Sequence, residues 1–146
     1  RYGASVSVTA GVEVAGLVRS VLGATPAVVV GYLFGSRAAG RPRADSDVDV
    51  AVLLRDDDHE ALLGLVADLS HALAPLHVDL VDLRTAPDAL AYRVLQTGTL
   101  VVSRDEGARR SHWVRVVDRY LDMAPARRML ADGTRRRLRE GRFGRS

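Results

Sequence analysis

Cysteine and lysine, two residues that often carry chemistry, are both absent from the 146 residues of this chain. Without cysteine the protein has no disulfide framework, no thiolate zinc site and no cysteine nucleophile. All 21 basic residues are arginines, which excludes a lysine Schiff base and the Walker-type phosphate loop, because that loop needs its lysine. Isoleucine and asparagine are missing as well, whereas valine and alanine are abundant. We interpret that bias as the codon usage of a GC-rich genome and not as chemistry.

Long apolar runs are absent too. No stretch approaches the ~20 apolar residues of a membrane-spanning helix, because charged residues interrupt every candidate. With 47% apolar and 27% charged residues, the composition is that of a globular protein that buries a core. The length suits one domain with a short appendage. We therefore expect a soluble, cytoplasmic protein that does not bind a membrane.

The charges are unevenly distributed along the chain. Residues 1–103 carry 8 arginines and 12 acidic residues, a net charge of −4, whereas residues 104–146 carry 13 arginines and 6 acidic residues, a net charge of +7. We predict a head domain over 1–103 and a basic helical tail over 104–146, broken at Pro125 and Gly133. Such a tail suits an acidic partner protein. Direct nucleic-acid binding is not expected, because the last arginines have only Phe143 as an aromatic neighbour.

The spacing of apolar residues predicts helices and strands in alternation. Apolar residues at three- and four-residue steps favour a helix packed on one face, and short runs rich in valine are typical of buried strands. The elements predicted before the tail are a helix at 11–22, strands at 27–34 and 48–54, a helix at 56–72, a strand at 77–83, a helix between Pro87 and Gly98, and a strand at 99–103. This order predicts an α/β fold around one small sheet.

Two carboxylates lie at the start of the second predicted strand. Asp47 and Asp49 are two residues apart and so share a face of the strand, where they repel each other unless a cation lies between them. Their oxygen atoms suit magnesium or manganese. The alternative is an exposed edge strand with solvated acids, which the neighbouring valines disfavour. A calcium loop beginning at Asp45 fails at its sixth position, where Val50 replaces the required glycine.

A glycine–serine pair precedes these acids. Gly35 lets phosphate oxygens approach the main chain, and the hydroxyl of Ser36 with the amides of a following turn supplies neutral donors to them. The pair alone is uninformative. It becomes a specific indication of nucleotide binding because an Asp-x-Asp strand follows it.

The Gly-Ser pair at 35–36 followed by Ser-Asp-Val-Asp at 46–49 resembles the minimal nucleotidyltransferases of the DNA polymerase beta superfamily. That family carries a third carboxylate between apolar residues on a neighbouring strand, a setting that Asp79 matches. Asp82 is a rival, but residues three apart do not face the same way in a strand, and we choose Asp79. The resemblance covers residues 27–103. It implies a nucleotidyltransferase domain with a small mixed sheet flanked by helices, followed by a C-terminal helical extension.

This resemblance also implies a nucleotidyl transfer from ATP with two metal ions, Mg²⁺ or Mn²⁺. Asp47 and Asp49 would hold the metal that clamps the triphosphate. Together with Asp79 they would hold a second metal, which lowers the pKa of the attacking hydroxyl.

The outer phosphates would be bound by the Gly-Ser pair, and pyrophosphate would leave. Arg37, Arg41 and Arg43 lie close enough in sequence to neutralise phosphate charge. An equal alternative is that these three arginines are solvated loop residues without a role in phosphate binding.

Within the family, the segments VDLVDLRTAPDALAYRVLQTGTLVV and YLDMAP resemble the MntA-type antitoxins that pair with HEPN-domain ribonuclease toxins. The resemblance implies an antitoxin that transfers AMP to a hydroxyl, that of a tyrosine, of its cognate HEPN toxin within a hetero-oligomer. Two alternatives stay open, a non-catalytic antitoxin that acts by contact alone and an aminoglycoside-type transferase of small molecules. The three retained acids disfavour the first, and roughly 40 tail residues are too few for the substrate domain of the second.

The remaining candidates carry less chemistry. The four histidines show no ligand spacing and are expected on the surface or satisfied in the core: His59, His71, His77 and His112. A stripe in the tail at helical spacing is expected to pack on the head or, equally, to bind a partner: Trp113, Val116, Val117, Tyr120 and Leu121.

Overall fold

The protein is described from a computed structural model, which covers residues 6–35 and 47–122. Along these two ranges the elements follow in the order α1 Val6–Gly23, β1 Val28–Phe34, β2 Val48–Leu54, α2 His59–Leu73, β3 Val78–Asp82, α3 Asp88–Thr97, β4 Thr99–Ser103 and α4 Glu106–Asp122. The α/β alternation predicted from the sequence is confirmed.

The four strands form one sheet in the order β3-β2-β1-β4. β1 runs antiparallel to both β2 and β4, while β2 and β3 are parallel and are joined by α2. The sheet is therefore mixed, as the resemblance described above implies. β2 is an inner strand, which overturns the alternative of an exposed edge strand.

Helices cover both faces of the sheet. Alternate residues of β2 divide between two cores, with Val50 and Val52 on the face covered by α1 and α2, and Ala51 and Leu53 on the face covered by α3 and α4. Asp49 has the parity of Ala51 and therefore lies on the α3 side of β2. The two faces explain why all seven residues of β1 are buried.

Local chemistry sets the helix ends. The carboxylate of Asp58 caps α2 by accepting a hydrogen bond of 3.0 Å from the Ala61 amide. The sequence predicts the helix start in the run of acids at 56–58, and the structure uses the last of the three as the cap. α3 follows Pro87 and ends before Gly98, as predicted.

The first part of the predicted tail packs against the head. In α4, Val116 is fully buried in the core beneath the sheet, and Tyr120 stacks on Tyr92 of α3 with ring centroids 4.0 Å apart. By contrast, Trp113 and Leu121 are 47% and 56% exposed. Part of the predicted apolar stripe is thus packed in the core, and part of it is exposed to solvent. The predicted breaks at Pro125 and Gly133 lie outside the described residues.

One arginine links the segment after β4 to the end of α1 and the start of β1. Arg104, between β4 and α4, donates from Nε to the carbonyl of Val28 at 2.8 Å and from its guanidinium to the carbonyls of Leu22, Gly23 and Thr25. The last carbonyls of a helix have no partner within that helix. Arg104 supplies donors to those at the end of α1.

None of the helices in the described ranges is long and apolar enough to cross a membrane.

Candidate active site

The predicted site residues meet at one edge of the sheet. β1 ends where the antiparallel β2 begins, so that Phe34 pairs with Asp49 and Gly35 follows directly. β3 begins at the same edge because it runs parallel to β2. The topology therefore brings three chain segments, remote from one another in sequence, to a single location.

The strand register places Asp79 beside Asp49. These two residues are partners in the parallel pairing of β2 and β3, and partners in that pairing face the same side of the sheet. Asp47, two residues before Asp49, shares that face. Asp82 instead pairs with Val52, and its carboxylate accepts a hydrogen bond of 3.0 Å from the amide of Arg84. The geometry brings Asp79 to the other two acids and leaves Asp82 at the opposite end of β3.

The electrostatics of this cluster favour a bound cation. The pKa of Asp49 is raised above its usual value, first because the carboxyl is partly buried and then because the carboxylates of Asp79 and Asp47 repel its charge. A hydrogen bond with the side chain of Asp79 raises it further, while Arg93 of α3 partly offsets the increase. The three carboxylates therefore repel one another at this separation, and a bound cation would reduce that repulsion.

A histidine completes the cluster. Nδ1 of His77 lies 3.6 Å from Oδ1 of Asp79 and 3.8 Å from Oδ1 of Asp47. Ligand atoms of the three residues all lie within 4.8 Å of one another. From the sequence, His77 was expected on the surface or in the core and not as a member of this cluster. The available signal was parity, because His77 is two residues before Asp79 and precedes β3 just as Asp47 precedes β2.

Gly35 has a conformation that fits its place beside the acids. Its φ of 78° lies in the left-handed region, where side chains are strongly disfavoured. A Cβ atom at this position would collide with Oδ2 of Asp49. Glycine is therefore required here by the backbone and by the neighbouring carboxylate. The other predicted phosphate-binding residues lie outside the described ranges: Ser36, Arg37, Arg41 and Arg43.

The donor set fits a divalent cation. Three carboxylates supply hard oxygen ligands, and their mutual repulsion falls when a cation binds between them. Asp47, His77 and Asp79 are all exposed, so that a metal with attached phosphates has access from solvent. Such a site is suited to binding and transferring a phosphate-bearing group.

Comparisons with known proteins find a matching family model and several similar proteins. The family model for "Polymerase beta, Nucleotidyltransferase" matches residues 18–107. The protein adenylyltransferase MntA of Shewanella oneidensis is 44% identical over 68 residues, which are 46% of this chain and 48% of that protein. The chain thus spans about half the length of this curated relative.

Two solved structures are also similar. A chain of a toxin–antitoxin complex with AMP-PNP is 30% identical with a TM-score of 0.70, and the match covers 82% of this chain and 96% of that one. A chain of the tri-AMPylated Shewanella oneidensis HEPN toxin in complex with MNT antitoxin is 30% identical with a TM-score of 0.59, over 74% of this chain and 83% of that one.

Proposed function

This chain belongs to the polymerase beta nucleotidyltransferase family, and from that premise we propose that it is an antitoxin adenylyltransferase. It transfers AMP from ATP to a tyrosine hydroxyl of a cognate HEPN ribonuclease toxin and thereby neutralises the toxin. One observation carries the proposal: Asp47, Asp49 and Asp79 converge beside Gly35 at one edge of the sheet. A protein that acted only by contact would have no use for three repelling acids in one place.

The relatives support the choice of substrates. The similar curated protein is named a protein adenylyltransferase, and the similar structures include a toxin–antitoxin complex with AMP-PNP, an analogue of ATP, and a complex with a tri-AMPylated HEPN toxin. By extension, ATP is the donor and a HEPN toxin is the acceptor for this chain. The two proteins form a hetero-oligomer in the cytoplasm.

We assign metal binding to Asp47, Asp49 and Asp79, with Mg²⁺ or Mn²⁺ as the ion. When bound, such an ion neutralises triphosphate charge and lowers the pKa of the attacking hydroxyl. The chain's own contribution is to hold the carboxylates in place, since the pairing of β2 with β3 fixes Asp49 opposite Asp79. Gly35 leaves the space that the Asp49 carboxylate needs.

The phosphates are assigned to the turn after β1. Gly35 keeps the main chain accessible, and Ser36 and Arg37 are proposed to bind the outer phosphates. In the transfer, the tyrosine oxygen bonds to the α-phosphorus of ATP and the bond from that phosphorus to the bridging oxygen breaks. Pyrophosphate leaves, and the phenolic proton passes to solvent. Tyrosine suits this step because its pKa of about 10 is the lowest among the hydroxyl side chains.

Toxin binding is assigned to the basic tail, residues 104–146. Its described part presents apolar side chains to solvent, with Trp113 and Leu121 about half exposed on α4. Large exposed aromatic residues are frequent anchors of protein interfaces. We assign the tail's positive charge to steering an acidic toxin surface and not to nucleic acid.

The test is to incubate the protein with its cognate toxin, ATP and Mg²⁺ and to measure the toxin's mass and ribonuclease activity. We expect the toxin to gain one or more AMP masses and to lose activity. Asp47→Asn should abolish both effects, whereas Asp82→Asn, which changes an acid outside the cluster, should leave both largely intact. Neutralisation by Asp47→Asn without any mass gain would establish the contact-only antitoxin. Transfer to an aminoglycoside but not to the toxin would establish a small-molecule transferase.

A further inference from the structure

His77 lies in the acid cluster, and its imidazole forms no hydrogen bond with any residue in the described ranges. Its side chain is 68% exposed, and within the described ranges the only charged groups near its Nδ1 are Asp47 and Asp79. At 3.6 and 3.8 Å, both oxygens are beyond hydrogen-bond distance from this nitrogen. The imidazole therefore faces two carboxylates without bonding to either of them.

These separations are slightly longer than those of adjacent ligands on one metal ion, and a shift of less than about 1 Å in the exposed side chains would close the difference. Ligand atoms about 2.1 Å from one ion lie roughly 3 Å apart when adjacent and roughly 4 Å apart when opposite. The distances from Nδ1 to the two carboxylate oxygens fall between these limits. Imidazole is also a common ligand of first-row transition metals and is not a favoured ligand of Mg²⁺.

The backbone holds this arrangement in place. The amide of Val48 donates a hydrogen bond of 2.8 Å to the carbonyl of His77, and Val48 pairs with Val78 in the next step of the ladder. His77 and Asp47 are thus held side by side by the same parallel pairing that joins Asp49 to Asp79. The backbone position of His77 therefore follows from the sheet.

We infer that His77 is a nitrogen ligand of the metal held by Asp47 and Asp79, and that it makes this site selective for Mn²⁺ over Mg²⁺. The inference rests on the proposed function, which supplies the metal site, and adds to it the identity of the ion. A site of oxygen ligands alone accepts both ions, whereas one nitrogen ligand favours the transition metal.

Pulsed electron paramagnetic resonance on the Mn²⁺-loaded protein tests this directly, because a bound imidazole gives a nitrogen modulation that water and carboxylates do not give. We expect the modulation in the unchanged protein and in His59→Gln, which alters an exposed histidine on α2 away from the site. It should disappear in His77→Gln. A nitrogen signal that survives in His77→Gln, or that is absent from the unchanged protein loaded with Mn²⁺, overturns the inference.

Calorimetric titration with each ion supplies the second measurement. His77→Gln should weaken Mn²⁺ binding by about tenfold or more, while changing Mg²⁺ binding by less than about twofold. Equal losses for both ions would show that His77 acts only by supporting the fold of the site. If neither ion binds the unchanged protein, with or without ATP, then the proposed function itself fails. Binding without a nitrogen signal overturns only the role of His77.

Discussion

Gly35 leaves open the space that the carboxylate of Asp49 occupies, since a Cβ atom on Gly35 would collide with Oδ2 of Asp49. Gly35 directly follows β1 and Asp49 lies in β2, and the two meet because Phe34 pairs with Asp49. The turn that is proposed to bind phosphate and the strand that is proposed to bind metal are thus in direct contact. A change in either one alters the other.

Gly35→Ala is expected to impair the site more than the fold. Its left-handed φ of 78° costs an alanine about 1–2 kcal/mol, and the added methyl group displaces the Asp49 carboxylate. We expect loss of metal-dependent ATP binding in calorimetry, together with a modest fall in Tm. The matched control is Gly64→Ala in α2, where a Cβ meets nothing within 4 Å. That variant should gain about 0.5–1 kcal/mol and bind ATP normally. Normal ATP binding by Gly35→Ala would contradict the assignment of this turn.

Asp49→Asn should stabilise the metal-free protein while abolishing transfer. The pKa of Asp49 is raised first by burial and then by repulsion from Asp79 and Asp47, and a neutral amide relieves both costs. We expect the free energy of unfolding at pH 7 to rise by about 0.2–1 kcal/mol, the range for like charges on facing strand positions. Urea unfolding in the presence of a chelator measures it. Asp68→Asn, at an exposed position on α2, should change stability by less. A loss of stability in Asp49→Asn would show that the carboxylate is held by favourable contacts.

The buried His112 should make stability depend on pH. Its pKa lies below the ordinary 6.5, first because of burial and then because of Arg115 and Arg119, although a hydrogen bond with the Leu83 backbone partly opposes the shift. Its Nε2 has no hydrogen-bond partner in the described part of the chain. The unfolded chain therefore binds the proton first as the pH falls. His112 contributes fully to stability above pH 6.5, and its contribution is lost as the pH falls below that value towards the folded-state pKa.

Denaturant unfolding at pH 8 and at pH 5.5 checks this expectation. His112→Phe should reduce the difference in the free energy of unfolding between the two pH values. His59→Gln, which changes an exposed histidine, should leave that difference as it is in the unchanged protein. If His112→Phe shows the same difference in the free energy of unfolding between the two pH values, then groups other than His112 cause the pH dependence.

Two valines of α4 differ in burial, and substituting each one tests whether α4 is packed against the head. Val116 is fully buried, whereas Val114 on the same helix is 47% exposed. We expect Val116→Ala to cost about 2 kcal/mol in the free energy of unfolding, and Val114→Ala less than about 0.5 kcal/mol. Equal, small effects would mean that α4 is not an integral part of the folded head.

A chain ending at Ala124 tests the proposed role of the tail in partner binding. It retains all of α4 and loses 8 arginines against 2 acidic residues among residues 125–146. We expect it to fold, to bind the cognate toxin more weakly than the full chain, and to show a smaller dependence of affinity on salt concentration. Undiminished affinity would assign toxin binding to the head and α4 alone.

The parts of the site that the sequence could predict are those encoded locally. Asp47 and Asp49 stand two apart in a valine-rich strand, and the choice of Asp79 over Asp82 needed only strand parity. His77 escaped prediction because its place in the cluster depends on the parallel register of β2 and β3. The two-residue spacing between His77 and Asp79 is visible in the sequence, but it points to the cluster only once this long-range pairing is known.

The prediction for α4 was incomplete for the same reason, because its burial depends on contacts with distant segments. Helical periodicity identified the apolar stripe, but it does not say which of two adjacent turns meets the sheet. The structure buries Val116 and exposes Trp113 because α4 crosses β1 and α3 with only part of the stripe in contact. For α2, local chemistry located the start within three successive acids, but it did not say which of them would be the cap, and only Asp58 is used.

The pairing of the first strand with the last has a consequence for synthesis. β1 lies between β2 and β4, and its pairing with β4 joins Val30 to Ser103. A growing polypeptide cannot complete its sheet until β4 has left the ribosome, nor cover the α3 face until Val116 has followed. A translation product that ends before β4 therefore leaves one side of β1 unpaired, and one that ends before Val116 leaves the α3 face of the sheet partly uncovered.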